Sequence, residues 1–236
     1  MKTLKSSYVI VLFAVLYLIL MAGNVSADSS SKMIYLTFDA DMTHYMQQEE
    51  KSGLVKRWYD PKLVEYLEKN NIPATFFVTG MFAEMYPDLI KRLATNPNFS
   101  IQNHTYDHRA FEPHCFRLPF ITSDRQKIVE ILKTQDILKL LIKHSPVYFR
   151  YPGLCHNTHD DSLVATEGLL IAHGEINSGD AYLKKPKAIV DNILSNINYN
   201  NVVVFHMGTV KSPETTKTVK LLIPKLKKLN YTFSHL

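Results

Sequence analysis

Met33-Ile34-Tyr35-Leu36-Thr37-Phe38-Asp39-Ala40-Asp41 is the stretch on which the fold turns. From Met33 to Asp39 it alternates like a strand and then breaks into an acidic turn, as a buried strand delivering carboxylates to a site would. Residues two apart in an extended turn project to one side, so Asp39 and Asp41 can serve one site together.

Outward from this strand, helical and strand patterns take turns. Asp60-Pro61 opens a helix running to about Asn70, with Pro61 suited to the first helical position and Leu63, Val64 and Leu67 on one face. Further strands are expected at 74–78, 99–102, 147–150, 169–172, 202–206 and 231–234. Helices are expected at 87–94, 124–142, 160–167, 186–196 and 213–229, the longest opened by a capping box of Ser123 and Gln126. This βα series predicts an α/β fold with a parallel sheet, closed as a barrel or open, whose ligands gather at the carboxyl ends of strands. Asp39 and Asp41, Asn103 and His104, Arg150, and His206 all fall at or just beyond such ends. The segment His44 to Trp58, rich in Gln, Glu and Lys, reads as a surface insertion placed to cover the site. Trp58 and Tyr59 read either as core or as a platform for sugar rings.

The N-terminus carries Lys2 and Lys5, an apolar run from Tyr8 to about Met21, and Val25-Ser26-Ala27, which together read as an export signal over residues 1–27. An uncleaved anchor is the alternative, because the run is near the lower limit for crossing a bilayer. A short polar linker follows at 28–32, then one domain at 33–236. Either way the domain is expected outside the cytoplasm, as a periplasmic, cell-surface or secreted protein with no stable membrane insertion once the signal is cleaved. Loss of residues 1–27 removes two lysines and no acid, taking the formal net charge from +5 to +3. With no basic tract besides, nucleic acid is excluded as a partner. Cys115 and Cys155 are free to form one disulfide in an exported chain, although two separate buried thiols fit equally well.

The sharpest local signal is Asn103-His104-Thr105-Tyr106-Asp107-His108. Two imidazoles four apart on one face of a helical turn can grip a metal ion, but the pair needs a third hard ligand, for which Asp39 and Asp41 are the candidates. His44, His114, His156, His159 and His173 read as loop or packing residues, and the Asn-x-Ser/Thr sites, including Asn103, as unmodified.

Several stretches then fall in one family's order. Leu36-Thr37-Phe38-Asp39, Ile72-Pro73-Ala74-Thr75-Phe76-Phe77-Val78-Thr79-Gly80, His104-Thr105-Tyr106-Asp107-His108, Phe149-Arg150-Tyr151-Pro152-Gly153 and Val203-Val204-Phe205-His206 resemble the successive motifs of the polysaccharide deacetylase family, the NodB-type enzymes of carbohydrate esterase family 4. Leu226 to Phe233 resembles its closing helix and strand. The resemblance implies a distorted (β/α) barrel, in line with the seven expected strands, and one divalent metal, most commonly Zn²⁺, with Co²⁺, Ni²⁺ or Fe²⁺ also suited.

By the same resemblance His104 and His108 are metal ligands and Asp39 is the general base. His206 is the general acid, and the loop after Arg150 supplies an oxyanion contact through Tyr151 and Pro152. Arg150 holds Asp39, and Asp180 orients His206, although Asn177-Ser178-Gly179-Asp180-Ala181-Tyr182 matches its motif loosely and lacks the usual tryptophan. The second aspartate of the first motif, which ligates metal, is replaced by Ala40, so the third ligand is assigned to Asp41, with exchanged roles for Asp39 and Asp41 left open. The implied reaction is removal of N-acetyl groups from an N-acetylglucosamine polymer such as peptidoglycan, chitin or poly-N-acetylglucosamine. An O-acetyl esterase acting on a glycan, and a carbohydrate-binding homologue that lost turnover through Ala40, are the alternatives.

Overall fold

The first strand, β1 (Lys32–Ala40), is also the centre of the sheet. In the computed structural model, which describes residues 32–198 and 201–236, it pairs with β2 (Ala74–Val78) and with β7 (Asn201–His206). β8 (Tyr231–Ser234) pairs with its opening residues, Lys32 to Tyr35. The flanks are completed by β3 (Phe99–Asn103), β4 (Tyr148–Phe149), β5 (Leu170–Ile171) and β6 (Ile176–Asn177). The order is β5-β4-β3-β2-β1-β7-β6, and every pair is parallel. This is the expected distorted (β/α) barrel, open between β5 and β6. Against the expected seven strands or so, the described residues hold seven along the sheet's path with β8 beside β1; the one without a counterpart in the sequence reading is β6, two residues long and too short for a period of two to show. The export signal and residues 28–31 of the linker lie outside the described residues, and Lys32 already belongs to β1.

Beside the strands lie α1 (His44–Lys51), α2 (Pro61–Lys69), α3 (Gly80–Met85), α4 (Pro87–Ala94), α5 (Asp124–Ile142), α6 (Thr158–Thr166), α7 (Pro186–Asn196) and α8 (Thr215–Lys228). Two of these, α1 and α3, fall where no helix was expected. Both start on a threonine whose hydroxyl accepts a backbone N–H, Thr43 from Met46 and Thr79 from Phe82. The expected capping box at α5 is not formed: Ser123 sits at the N-cap, but its side chain makes no cap bond. The negative charge favoured at that helix start comes from Asp124, which meets His159 at 2.9 Å. A capping box does form at α6, from Asn157 and Asp160.

Alternation in β1 holds only at its start, because Leu36 to Ala40 are buried on both faces, the usual state of a central parallel strand. Phe38 stacks against Phe76 of β2 and Phe205 of β7, with centroids 5.7 and 5.5 Å away, tying the three central strands into one core. Trp58 is core and no sugar platform: it is 1% exposed and its indole N–H donates to the Met46 carbonyl at 2.8 Å. The insertion is thus partly internal, since Met46 of α1 is buried too.

Cys115 and Cys155 form the disulfide. It closes a separation of 40 residues, for which chain entropy gives about 4 kcal/mol. Replacing both cysteines by serine is expected to lower the unfolding free energy by about that much, read as an earlier urea midpoint; an unchanged midpoint would contradict it.

Candidate active site

Sheet register sets the level of the site. Asp39 is aligned with His206, Ala40 with Val78, Val78 with Asn103, and Asn103 with Phe149. Asp39, His104, Arg150 and His206 therefore leave four strands at one height, at the carboxyl end of the sheet, where parallel strands present ligand-binding groups.

Among the described residues, one group of three metal-binding side chains occurs there: Asp41, His104 and His108, whose ligand atoms all lie within 4.8 Å of one another. Asp41 Oδ1 is 3.5 Å from His104 Nε2 and 3.4 Å from His108 Nε2. Asp41 Oδ1 and His104 Nε2 are buried without a hydrogen-bond partner among the described residues. Two orphaned buried lone-pair atoms are costly unless something satisfies both, and a divalent cation does so. His104 is prepared for that role by its far side, where Nδ1 lies 2.9 Å from the Arg150 carbonyl; an N–H there leaves the Nε2 lone pair facing the site.

Asp39 sits differently. Its Oδ1 accepts from Arg150 at 2.8 Å, while Oδ2 lies 3.9 Å from His104 Nε2. Arg150 is fully buried, also donates to Thr37 Oγ1 at 2.8 Å, and lies over the Phe77 ring. Across the site, His206 Nδ1 meets Asp180 Oδ1 at 2.8 Å, and Asp180 Oδ2 accepts the His206 N–H at 2.8 Å and the Thr215 hydroxyl at 2.6 Å. His206 Nε2 thereby faces Asp41 Oδ2 at 3.9 Å.

Residues 26–169, which hold Asp39, Asp41, His104, His108 and Arg150 but not Asp180 or His206, match the family model described as polysaccharide deacetylase. The chain belongs to the polysaccharide deacetylase family. It is 28% identical over 148 residues to a peptidoglycan-N-acetylglucosamine deacetylase of Bacillus cereus, covering 63% of this chain and 50% of the relative, so it spans about half that relative's length. Against a chitooligosaccharide deacetylase of Azorhizobium caulinodans the identity is 25%, over 79% of this chain and 78% of the relative. A solved peptidoglycan N-acetylglucosamine deacetylase shares the fold at TM-score 0.72 and 23% identity, covering 88% of this chain and 87% of that one. A CE4 family pseudoenzyme from Bacillus anthracis shares it at TM-score 0.70 and 18% identity, over 88% of this chain and 64% of that one.

One expectation about this polysaccharide deacetylase family member needs correcting. His104 and His108 are not on a helical turn; they belong to an irregular loop with positive φ at Thr105 and at His108 itself. Other groups take the hydrogen bonds a helix would have made. Asn103 Oδ1 accepts the Thr105 N–H at 3.0 Å, and Glu130 Oε2 of α5 accepts those of Tyr106 and Asp107 at 2.9 and 3.0 Å. The loop carbonyls of Thr105 and Tyr106 accept from Gly80 and Met81 at the start of α3. The imidazoles still converge, with centroids 5.1 Å apart. Glu130 was not singled out in the sequence, where one acid in a long amphipathic helix carries no mark. Asn103 is buried and donates to the Ile131 carbonyl and Gln135, so its glycosylation sequon is inaccessible.

Electrostatics separate the roles. Burial opposes charge on Asp41, yet the imidazoles of His108, His206 and His104 hold it well below the usual carboxylate range. Burial pushes His108 down to about 4 against the pull of Asp41, so it is a neutral ligand-competent imidazole near pH 7. Burial would lower His206 as well, but the hydrogen bond and charge of Asp180, with Asp41 and Asp39 behind, push it up to about 10. Asp180 moves the other way: burial is outweighed by His206 and Thr215.

A cavity of about 340 Å³ opens over these groups, lined by Asp39, Asp41, His108 and His206 among others. Tyr151 and Pro152, expected at the oxyanion, do not line it; the neighbouring Gly153 and Leu154 do. The Tyr151 ring packs edge-on to Phe149 and Phe111 and stacks on His156, and no acceptor among the described residues takes its backbone N–H. His44, His114, His156, His159 and His173 stay out of the cavity wall, as expected of packing and loop residues.

Proposed function

We propose that this chain is a metal-dependent hydrolase removing N-acetyl groups from an N-acetylglucosamine-containing polysaccharide outside the cytoplasm. The observation that carries this reading is the convergence of Asp41, His104 and His108 around two orphaned lone-pair atoms, with an aspartate–arginine pair on one side and a histidine–aspartate pair on the other.

Held by those three residues, a divalent cation such as Zn²⁺ would supply Lewis acidity toward the acetyl carbonyl and toward water, whose pKa falls from about 15.7 to about 7 on such a metal. Asp39 takes the proton of the attacking water, fixed in place by the hydrogen bond from Arg150. The Tyr151 N–H stabilises the tetrahedral oxyanion. An amide does not expel an unprotonated amine readily, so His206 delivers a proton to the nitrogen. Asp180 orients that imidazole and keeps it charged.

Acetate release from peptidoglycan, chitin oligomers and poly-N-acetylglucosamine tests the reading. Activity is expected to vanish with chelator and return with Zn²⁺, while acetate from none of them would overturn it. The rival reading, a glycan-binding chain without turnover, rests on Ala40 in the first motif and predicts stoichiometric metal with no acetate.

The elevated His206 fixes a pH dependence. The proton donor is the charged imidazole, present below its pKa and lost as pH rises through it, so the alkaline limb of amide hydrolysis is set by Asp180. Asp180→Asn is expected to move that limb of the kcat/KM profile toward lower pH by about one unit or more; an unmoved limb would contradict this role.

A further inference from the structure

Two aromatic side chains stand exposed at the same cavity, Phe116 at 74% and Tyr182 at 61%. Each rests on a glycine of positive φ. A Cβ on Gly153 (φ +66) would fall 3.1 Å from the Phe116 ring and 2.5 Å from Cys115 Sγ, and one on Gly179 (φ +83) would fall 3.1 Å from the Tyr182 ring. Both rings therefore lie closely over backbone whose positive φ favours glycine, where a Cβ would crowd them by a few tenths of an ångström. The strands preceding them, β3 and β6, stand on opposite flanks of β1. The Phe116 loop is also held in an uncommon shape: His114, Phe116 and Arg117 all have positive φ, a conformation side-chain-bearing residues adopt sparingly and that clusters at ligand clamps. The Cys115–Cys155 disulfide ties this loop to the one carrying Gly153.

Large apolar rings left in water beside a hydrolytic cavity are poor packing and good recognition surface. The apolar C–H face of a pyranose ring is the matching partner. We infer that Phe116 and Tyr182 grip sugar rings flanking the one that is deacetylated, and that the disulfide fixes Phe116 for this task, making the chain selective for oligomers over single sugars. The inference rests on the proposed glycan substrate but not on turnover.

The test is calorimetric binding of the N-acetylglucosamine tetramer in chelator, where hydrolysis is stopped, with acetate release from tetramer and monomer measured in parallel on the metal-loaded chain. Phe116→Ala and Tyr182→Ala are each expected to weaken tetramer binding about fivefold to twentyfold. Each is expected to raise KM for the tetramer in step, with kcat within about twofold. The exposed Leu54, outside the cavity, is the control: Leu54→Ala should bind as the wild type does. Replacing both cysteines by serine should weaken binding about as much as Phe116→Ala, and adding Phe116→Ala to it should have little further effect, since coupled residues are non-additive. Affinity within about twofold of wild type in both aromatic variants, or a wild type that binds no tetramer, would overturn the inference. Acetate release with unaffected variants sinks this inference alone; weakened binding in the variants without any acetate from the wild type sinks the proposed reaction alone.

Discussion

Asp41→Ala is expected to abolish acetate release and to weaken Zn²⁺ binding by more than the ~10–100-fold that losing an outer partner of a metal ligand costs. The reason is geometric. Asp41 Oδ1 is the one carboxylate oxygen within 3.5 Å of both imidazole Nε2 atoms, and it has no other partner among the described residues. Asp39 does not take over readily, since one oxygen is committed to Arg150 and the other lies 3.9 Å from His104. Asp41 lies beyond the end of β1 at the cavity wall and makes no hydrogen bond that holds the sheet, so the variant should keep its fold while losing the ion. Calorimetric titration with Zn²⁺ and acetate release on the same sample check this, and wild-type metal affinity in the variant would exclude Asp41 as a ligand.

His206→Ala carries the second large effect. A positioned general acid contributes about 10² to 10⁴ in rate, and the whole of that is expected to be lost for an acetamide, whose nitrogen must be protonated to leave. An acetyl ester has a better leaving group, so its hydrolysis should fall less. The comparison of amide and ester turnover on one variant therefore reads the proton transfer itself, and an unchanged amide rate would remove His206 from that role. Asp180 holds His206 by both Nδ1 and the backbone N–H and is itself held by the Thr215 hydroxyl, and the backbone bond survives in the alanine variant, so the substitution opens space beside the cavity without disturbing β7.

Much of this was legible in the sequence because the strands end where the chemistry begins. Asp39, His104, Arg150 and His206 could be placed at strand ends from hydrophobic runs and polar termini alone, and the register then brings them to one height. Asp41 was legible from the period of an extended turn. The conformation of the histidine loop was not, because i, i+4 spacing also fits an irregular loop whose N–H groups are taken by Asn103 and by Glu130, a residue in a distant helix. Nor were β6 and α3, too short to show a period, so Asp180 was placed by resemblance and not by the strand that delivers it. The disulfide stayed open because spacing along the chain does not fix spacing in space, where the two Cα atoms are 6.0 Å apart. Trp58 shows the converse: an aromatic next to a helix start reads as core or platform alike until its N–H is seen to reach Met46.

The most direct test of the central claim is an anomalous-diffraction map at the zinc edge from crystals grown with excess Zn²⁺. One strong peak bonded to Asp41, His104 and His108, with an open position facing the cavity, is the predicted result. A cavity without a peak, or an ion held elsewhere with those three side chains turned apart, would contradict it.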